Sequence, residues 1–242
     1  MSDLRVALVA EGPTDAIIIE AALKALIPRP FVLTQLQPEK LLRTLGQEPE
    51  NPPGRLGQGW GGVLRWCQDF AQGGHTRFED DPKLPGFDLF VVHIDADVAE
   101  CSYADEGGKI APTAVAQRWP VLPKRLPCPP PTGSADAMRA CVMAWAGLQT
   151  LGPKTVLCVP SKAIDAWLTA AVFPVGHKLL TNLECNLNVA KQLENLPRAE
   201  KIKKTQRDYR ARESAVTSTW PTVRQRCTQA ERFSTEVAAV VV

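Results

Sequence analysis

Two acidic clusters carry the chemistry that the residue types and spacing allow. Glu11-Gly12-Pro13-Thr14-Asp15 follows the apolar run of residues 4–10, and Asp95-Ala96-Asp97 follows that of residues 89–94. Carboxylates brought this close repel one another unless a cation, a shared proton or a lysine lies between them. Hard oxygen donors suit Mg²⁺ or Mn²⁺. The expectation is a metal-dependent reaction on a phosphate compound. Asp97 follows Asp95 at i+2, so an extended backbone would point both carboxylates to one side. Asp165 is a further candidate, just past a third apolar run. Each has a plainer reading too: Asp15 as a first-turn acid favoured by the helix dipole, Asp95-x-Asp97 as a capping loop, and Asp165 as a surface acid.

These residues need elements to position them. Residues 4–10 and 87–94 read as buried parallel strands, because they are continuously apolar and rich in Val and Ile. Ligands of open α/β sheets bind beyond the carboxyl ends of the strands, so neighbouring strands would bring four carboxylates to one edge. Gly12 and Pro13 start a helix running to residue 27, and residues 31–36 read as a second strand. That makes the N-terminus a βαβ unit. Further helices are expected at 63–71 and from Ser134 to about residue 151. A strand at 154–159 precedes a helix carrying Asp165-Ala166-Trp167-Leu168. Residues 46–62 read as loop, and the proline-rich stretch 99–133 as an extended connection. After Phe173 the pattern turns to charged helical segments near 181–196, 199–214 and 221–240. The alternation up to residue 173 predicts an α/β fold. In it a central, mainly parallel sheet is flanked by helices (domain 1–173), with a C-terminal helical extension (174–242) that packs on the sheet or forms a cap.

Other motifs carry less. The glycines from Gly54 to Gly62 lack a following Gly-Lys-Ser/Thr and do not follow the first strand, which excludes a Walker loop and a dinucleotide fingerprint. They read as a flexible loop. Ser161 reads as an N-cap and His93 as a core histidine. His75, His93 and His177 lack the spacing of a zinc site. Lys201, Lys203, Lys204, Arg207 and Arg210 form a basic run, which reads as a solvated helix face or as a track for phosphates. Tyr209 and Trp220 beside it could stack on bases, and core packing suits Trp220 better.

With 242 residues, 45% hydrophobic, 22% charged and a net charge of +2, the chain reads as an ordinary globular protein whose overall charge neither demands nor excludes a nucleic acid. Seven cysteines occur singly, which argues against a disulfide framework and for a reducing cytoplasm. Neither a secretory signal nor a membrane-length apolar stretch is read.

The order strand–Glu11-Gly12-x-x-Asp15–helix, then strand–Asp95-x-Asp97, resembles a Toprim domain, the metal-binding module of topoisomerases, primases and OLD-family nucleases. The resemblance covers residues 4–173. A closer likeness is to small stand-alone bacterial Toprim-like proteins found near ATPases in defence islands. Their Glu-x-Trp-Leu helix start reads Asp165-Ala166-Trp167-Leu168 here, with the shorter acid. Their Cys-x-x-Ala-x-x-Phe helix reads Cys227 to Phe233. The resemblance implies a Toprim-like Rossmannoid fold and a Mg²⁺-dependent nuclease on DNA or RNA, with an ATPase as possible partner. It implies Glu11 as metal ligand or general acid–base group, and Asp95 and Asp97 as metal ligands. A second ion would be held through Asp15 and Asp165. With no tyrosine nucleophile evident, hydrolysis by metal-activated water fits better than topoisomerase chemistry. Two rivals are a haloacid-dehalogenase-like phosphatase, with Asp95 as nucleophile and Asp97 as acid–base group, and a non-catalytic subunit docking to a partner.

Overall fold

The computed structural model describes residues 3–38 and 56–241. Four strands, β1 (Leu4–Val9), β2 (Phe31–Gln37), β3 (Leu89–His93) and β4 (Thr155–Cys158), run parallel in the order β2-β1-β3-β4. Both β3 and β4 are buried at every position, as continuous apolar runs in a doubly covered sheet should be. The alternation of strand side chains divides the core into two layers. Val6 and Leu8 of β1 face one layer with Leu89, Val91 and Val156. Ala7 and Val9 face the other with Phe90, Val92 and Leu157. The fold is therefore α/β with an all-parallel central sheet flanked by helices, as the alternation of elements predicts.

The second layer is covered by α2 (Gly59–Gln72) and α4 (Thr132–Trp145), which contribute Val63, Leu64, Met138 and Val142. On the first layer lie α1 (Pro13–Leu26) and α5 (Asp165–Val172). Gly12 caps α1 in extended conformation, Pro13 opens it, and the chain leaves it at Ile27, just before Pro28.

Three stretches differ from the sequence reading. Within 99–133, the chain forms 3₁₀ turns at Ala96–Glu100 and Tyr103–Glu106 and a helix, α3 (Ile110–Ala116). Ser102 and Asp105 close a capping box, and the buried Tyr103 hydroxyl donates to the Pro120 carbonyl while accepting from the Trp145 indole. These anchors outweigh the prolines around them. The glycine-rich stretch, described from Leu56 onward, enters α2 at Gly59. There a Cβ on Gly62 would meet the Gln37 amide and, at 2.9 Å, the Gly57 carbonyl, so this glycine serves close packing.

The C-terminal region breaks into short helices: α6 (Val189–Glu194), α7 (Gln206–Arg210), α8 (Glu213–Ser218), α9 (Trp220–Arg226) and α10 (Thr228–Val241). Pro197 and Pro221 fall at the expected segment boundaries, whereas the Thr205 cap and the break at Cys227 lie inside the expected segments. Val216, Trp220, Val223 and Phe233 join the same apolar layer as α1 and α5. Trp220 is a core residue, as expected.

One cysteine expectation is overturned. Cys128 and Cys185, 57 residues apart, form a disulfide with Cα atoms 5.5 Å apart, and the other five cysteines are free. A pair that distant leaves no local spacing to read. Among the described residues no helix is long and apolar enough to cross a membrane.

The tightest aromatic contact between the sheet layer and the C-terminal helices is Trp167. It is fully buried, with its ring 5.3 Å from that of Trp220 and 5.7 Å from that of Phe233. Trp167→Ala should lower the unfolding free energy by about 3–5 kcal/mol, as large-to-small changes in packed cores do. Urea denaturation of both proteins checks this, and a loss near zero would mean the helices do not depend on this contact.

Candidate active site

The strand order places the site. The chain leaves β1 to form β2 on one side and returns to form β3 on the other, so the order reverses between β1 and β3. A crevice opens beyond the carboxyl ends of the strands at such a point. The register pairs Val9 with Val92, so the two ends are level and Glu11 and Asp95 emerge side by side. The Asp95 backbone N–H donates to Glu11 Oε1 at 2.6 Å. That bond joins the two acidic motifs directly.

The loop after β4 clamps the second motif from the other flank. Ile164 N–H donates to Asp95 Oδ1 at 2.9 Å, Ala96 N–H to the Pro160 carbonyl at 3.2 Å, and Asp97 N–H to the Lys162 carbonyl at 2.9 Å. His93, fully buried on β3, lies with Nε2 3.2 Å from Asp95 Oδ1. Burial pushes its imidazole down to about 4, so it is neutral at pH 7. It is the core histidine expected, and it also touches the site. Asp15 is buried in the first turn of α1.

The electrostatics record this crowding. Burial, then Asp95 and Asp15, raise the Glu11 carboxyl well above its ordinary range. Asp95 is likewise raised, by burial and by Asp165 against the opposing pull of Lys204. Burial, with Asp95 and Asp165 adding to it against His93 and Lys204, brings Asp15 up to about 6. Asp97 reaches about 7 through burial and the neighbouring Asp95. The four carboxylates read from the sequence therefore lie within electrostatic reach of one another at this edge, and each favours its proton more than a free carboxyl does.

Asp165 takes a different part. It is fully buried, its Oδ2 lies 3.1 Å from Lys204 Nζ, and its Oδ1 accepts a hydrogen bond from the Tyr209 hydroxyl. Both oxygens thus have protein partners, so Asp165 could ligate a second ion only by sharing those oxygens or displacing Lys204. Burial opposes the Lys204 charge, but Asp165, Asp15 and Asp95 outweigh it and hold the ammonium above its ordinary range. Tyr209 is buried on Asp165 rather than presented to bases.

The rest of the basic run divides. Lys201, Lys203 and Arg207 are exposed. Arg210 pairs with Glu20 at 2.7 Å and with Glu213 at 2.8 Å, which pins α7 to α1. Ser161 is not the expected cap of α5, whose N-cap is Ile164; its hydroxyl donates to Glu184. Sequence reasoning missed the joining of Lys204 and Tyr209 to Asp165, because residues 39 and 44 positions apart share no local pattern. The one available signal was a lysine and a tyrosine in a segment already marked as basic.

Among the described residues, no three His, Cys, Asp or Glu side chains close around a common point that could hold an ion. Structural zinc sits in such a closed cage. Mg²⁺ needs no such cage, since it keeps several waters and is held through one or two carboxylates. The donor set of Glu11, Asp95 and Asp97 fits it. Comparisons with family models, with characterised proteins and with solved structures find no match.

A carboxyl whose pKa is higher folded than unfolded binds its proton more tightly in the fold. Its contribution to stability is greatest below its unfolded value, about 4, and falls as pH rises through the folded value. For Asp97 the fall spans pH 4 to about 7. Without divalent cations, Asp97→Asn should therefore melt higher than wild type at pH 8 and close to it at pH 4. Parallel melting profiles at every pH would contradict the crowding of these acids.

Proposed function

We propose that this chain is a metal-dependent phosphodiesterase acting on nucleic acid. The observation that carries the reading is the Glu11–Asp95 bond, which holds two carboxylate motifs together at the β1/β3 crevice. Glu11, Asp95 and Asp97 would hold Mg²⁺ or Mn²⁺. A bound ion supplies a water of lowered pKa and polarises a phosphoryl oxygen. Glu11, bonded to the Asp95 backbone, would serve either as a ligand of that ion or as the group that takes or gives a proton at the reacting oxygen. The backbone N–H groups of Asp95 and Ile164 fix the carboxylates, so the donors are set before substrate arrives.

The substrate class is argued from the flank. Lys204 pairs with Asp165 beside the carboxylates, and its sequence neighbours Lys201, Lys203 and Arg207 are exposed. A cationic segment at an acidic, metal-binding edge suits a chain of phosphates, which pays for binding with released counterions. The Cys128–Cys185 disulfide removes the cysteine argument for a reducing cytoplasm. The sequence carries no Walker loop, so any ATP-driven step would come from a separate ATPase subunit.

Cleavage of supercoiled plasmid, single-stranded DNA and RNA with Mg²⁺ or Mn²⁺ tests the proposal. Cutting should require the metal, vanish in Asp95→Ala, and fall about 10²–10⁴-fold in Glu11→Gln. Cutting that survives in Asp95→Ala would reject the site. Neither cutting nor Mn²⁺ binding would favour a docking subunit instead. Replacing Lys201, Lys203 and Arg207 by Ala should weaken nucleic acid binding alike for all sequences and lower its salt dependence by about one counterion per residue.

A further inference from the structure

The Lys204 side chain is 41% exposed, yet both its backbone and its ammonium are tied to the fold. Its backbone N–H donates to Glu194 Oε1 at 3.1 Å, and the preceding Lys203 N–H to Asp208 Oδ2 at 2.9 Å. Ile202 is buried and its N–H donates to the Leu193 carbonyl at 3.2 Å. Thr205 caps α7 by accepting from Asp208 N–H. The segment is thus fixed on both sides of the lysine, and its ammonium is delivered to a fully buried carboxylate. Tyr209, one turn further on, occupies the other oxygen of the same group.

A buried carboxylate beside Asp15 and Asp95 needs a positive charge. Two divalent ions would supply one, with Asp165 among the ligands. Here the charge is already covalently part of the chain, and Asp165 has no oxygen left without a protein partner. The field of the ammonium also reaches Asp15, Asp95 and Asp97. We infer that Lys204, seated on Asp165, takes the place of a second divalent cation, so that this edge binds one metal ion per chain. This rests on the metal-binding reading proposed above and fixes its stoichiometry. Asp165 and Tyr209 become positioning residues for the lysine rather than metal ligands.

Titration calorimetry with Mn²⁺ alone, without nucleic acid, separates the possibilities. Wild type should bind one ion per chain. Asp165→Asn should still bind one, about tenfold more weakly, because the ammonium is then unbalanced beside the remaining ligands. Lys204→Ala should gain a second, weaker ion, whereas Lys204→Arg should stay at one. Circular dichroism establishes that each variant is folded, and Asp165→Asn, which keeps the shape of the side chain, serves if Lys204→Ala is not. Two ions on wild type, falling to one in Asp165→Asn, would overturn the inference and leave the metal-binding reading standing. No Mn²⁺ bound to wild type would overturn both.

Discussion

Like charges confined to a small volume are the constraint around which this molecule is arranged. Glu11, Asp15, Asp95, Asp97 and Asp165 sit at one edge of the sheet, several of them out of water. Isolated, each would cost several kcal/mol to bury as an anion. The protein offsets this in three ways. Backbone N–H groups from strand ends and loops are aimed at carboxylate oxygens. One buried acid receives a lysine and a tyrosine. The rest raise their proton affinity. The parallel sheet makes the first device possible, since strand carboxyl ends leave loop N–H groups free to point across the crevice.

The sheet and its two acidic motifs were legible because their signals are local. Continuous runs such as residues 89–94 announce doubly covered strands, and Gly12-Pro13 announces a helix start. The place of Glu11 and Asp95 follows from strand order, and the sequence reading made it conditional on those strands being neighbours. The pairing of Val9 with Val92 meets that condition. What escaped was long-range. Neither the Asp165–Lys204 ion pair nor the Cys128–Cys185 bond leaves a trace in spacing. The basic run read as one face of a helix is instead a loop and a short helix whose members serve different ends: Arg210 as a clasp on α1, Lys204 at the carboxylates, and Lys201, Lys203 and Arg207 in solvent.

The C-terminal helices are therefore more than a cover for the sheet. Trp220, Val223 and Phe233 complete the apolar layer around Trp167. Arg226 closes the end of α5 by donating to the carbonyls of Ala170 and Phe173 at 2.7 and 2.9 Å. The same packing that buries these side chains fixes where Lys204 arrives. Core stability and site electrostatics are coupled through one segment.

That segment also follows every carboxylate of the cluster along the chain. During synthesis β1, β3 and β4, and with them every carboxylate of the cluster, leave the ribosome before the lysine that balances Asp165, which follows it by 39 residues. Until then the nascent edge carries its acids without their internal counter-charge, and α5 lacks the partners that bury Trp167. The Asp165 carboxylate thus acquires its lysine only once the segment carrying Lys204 has docked.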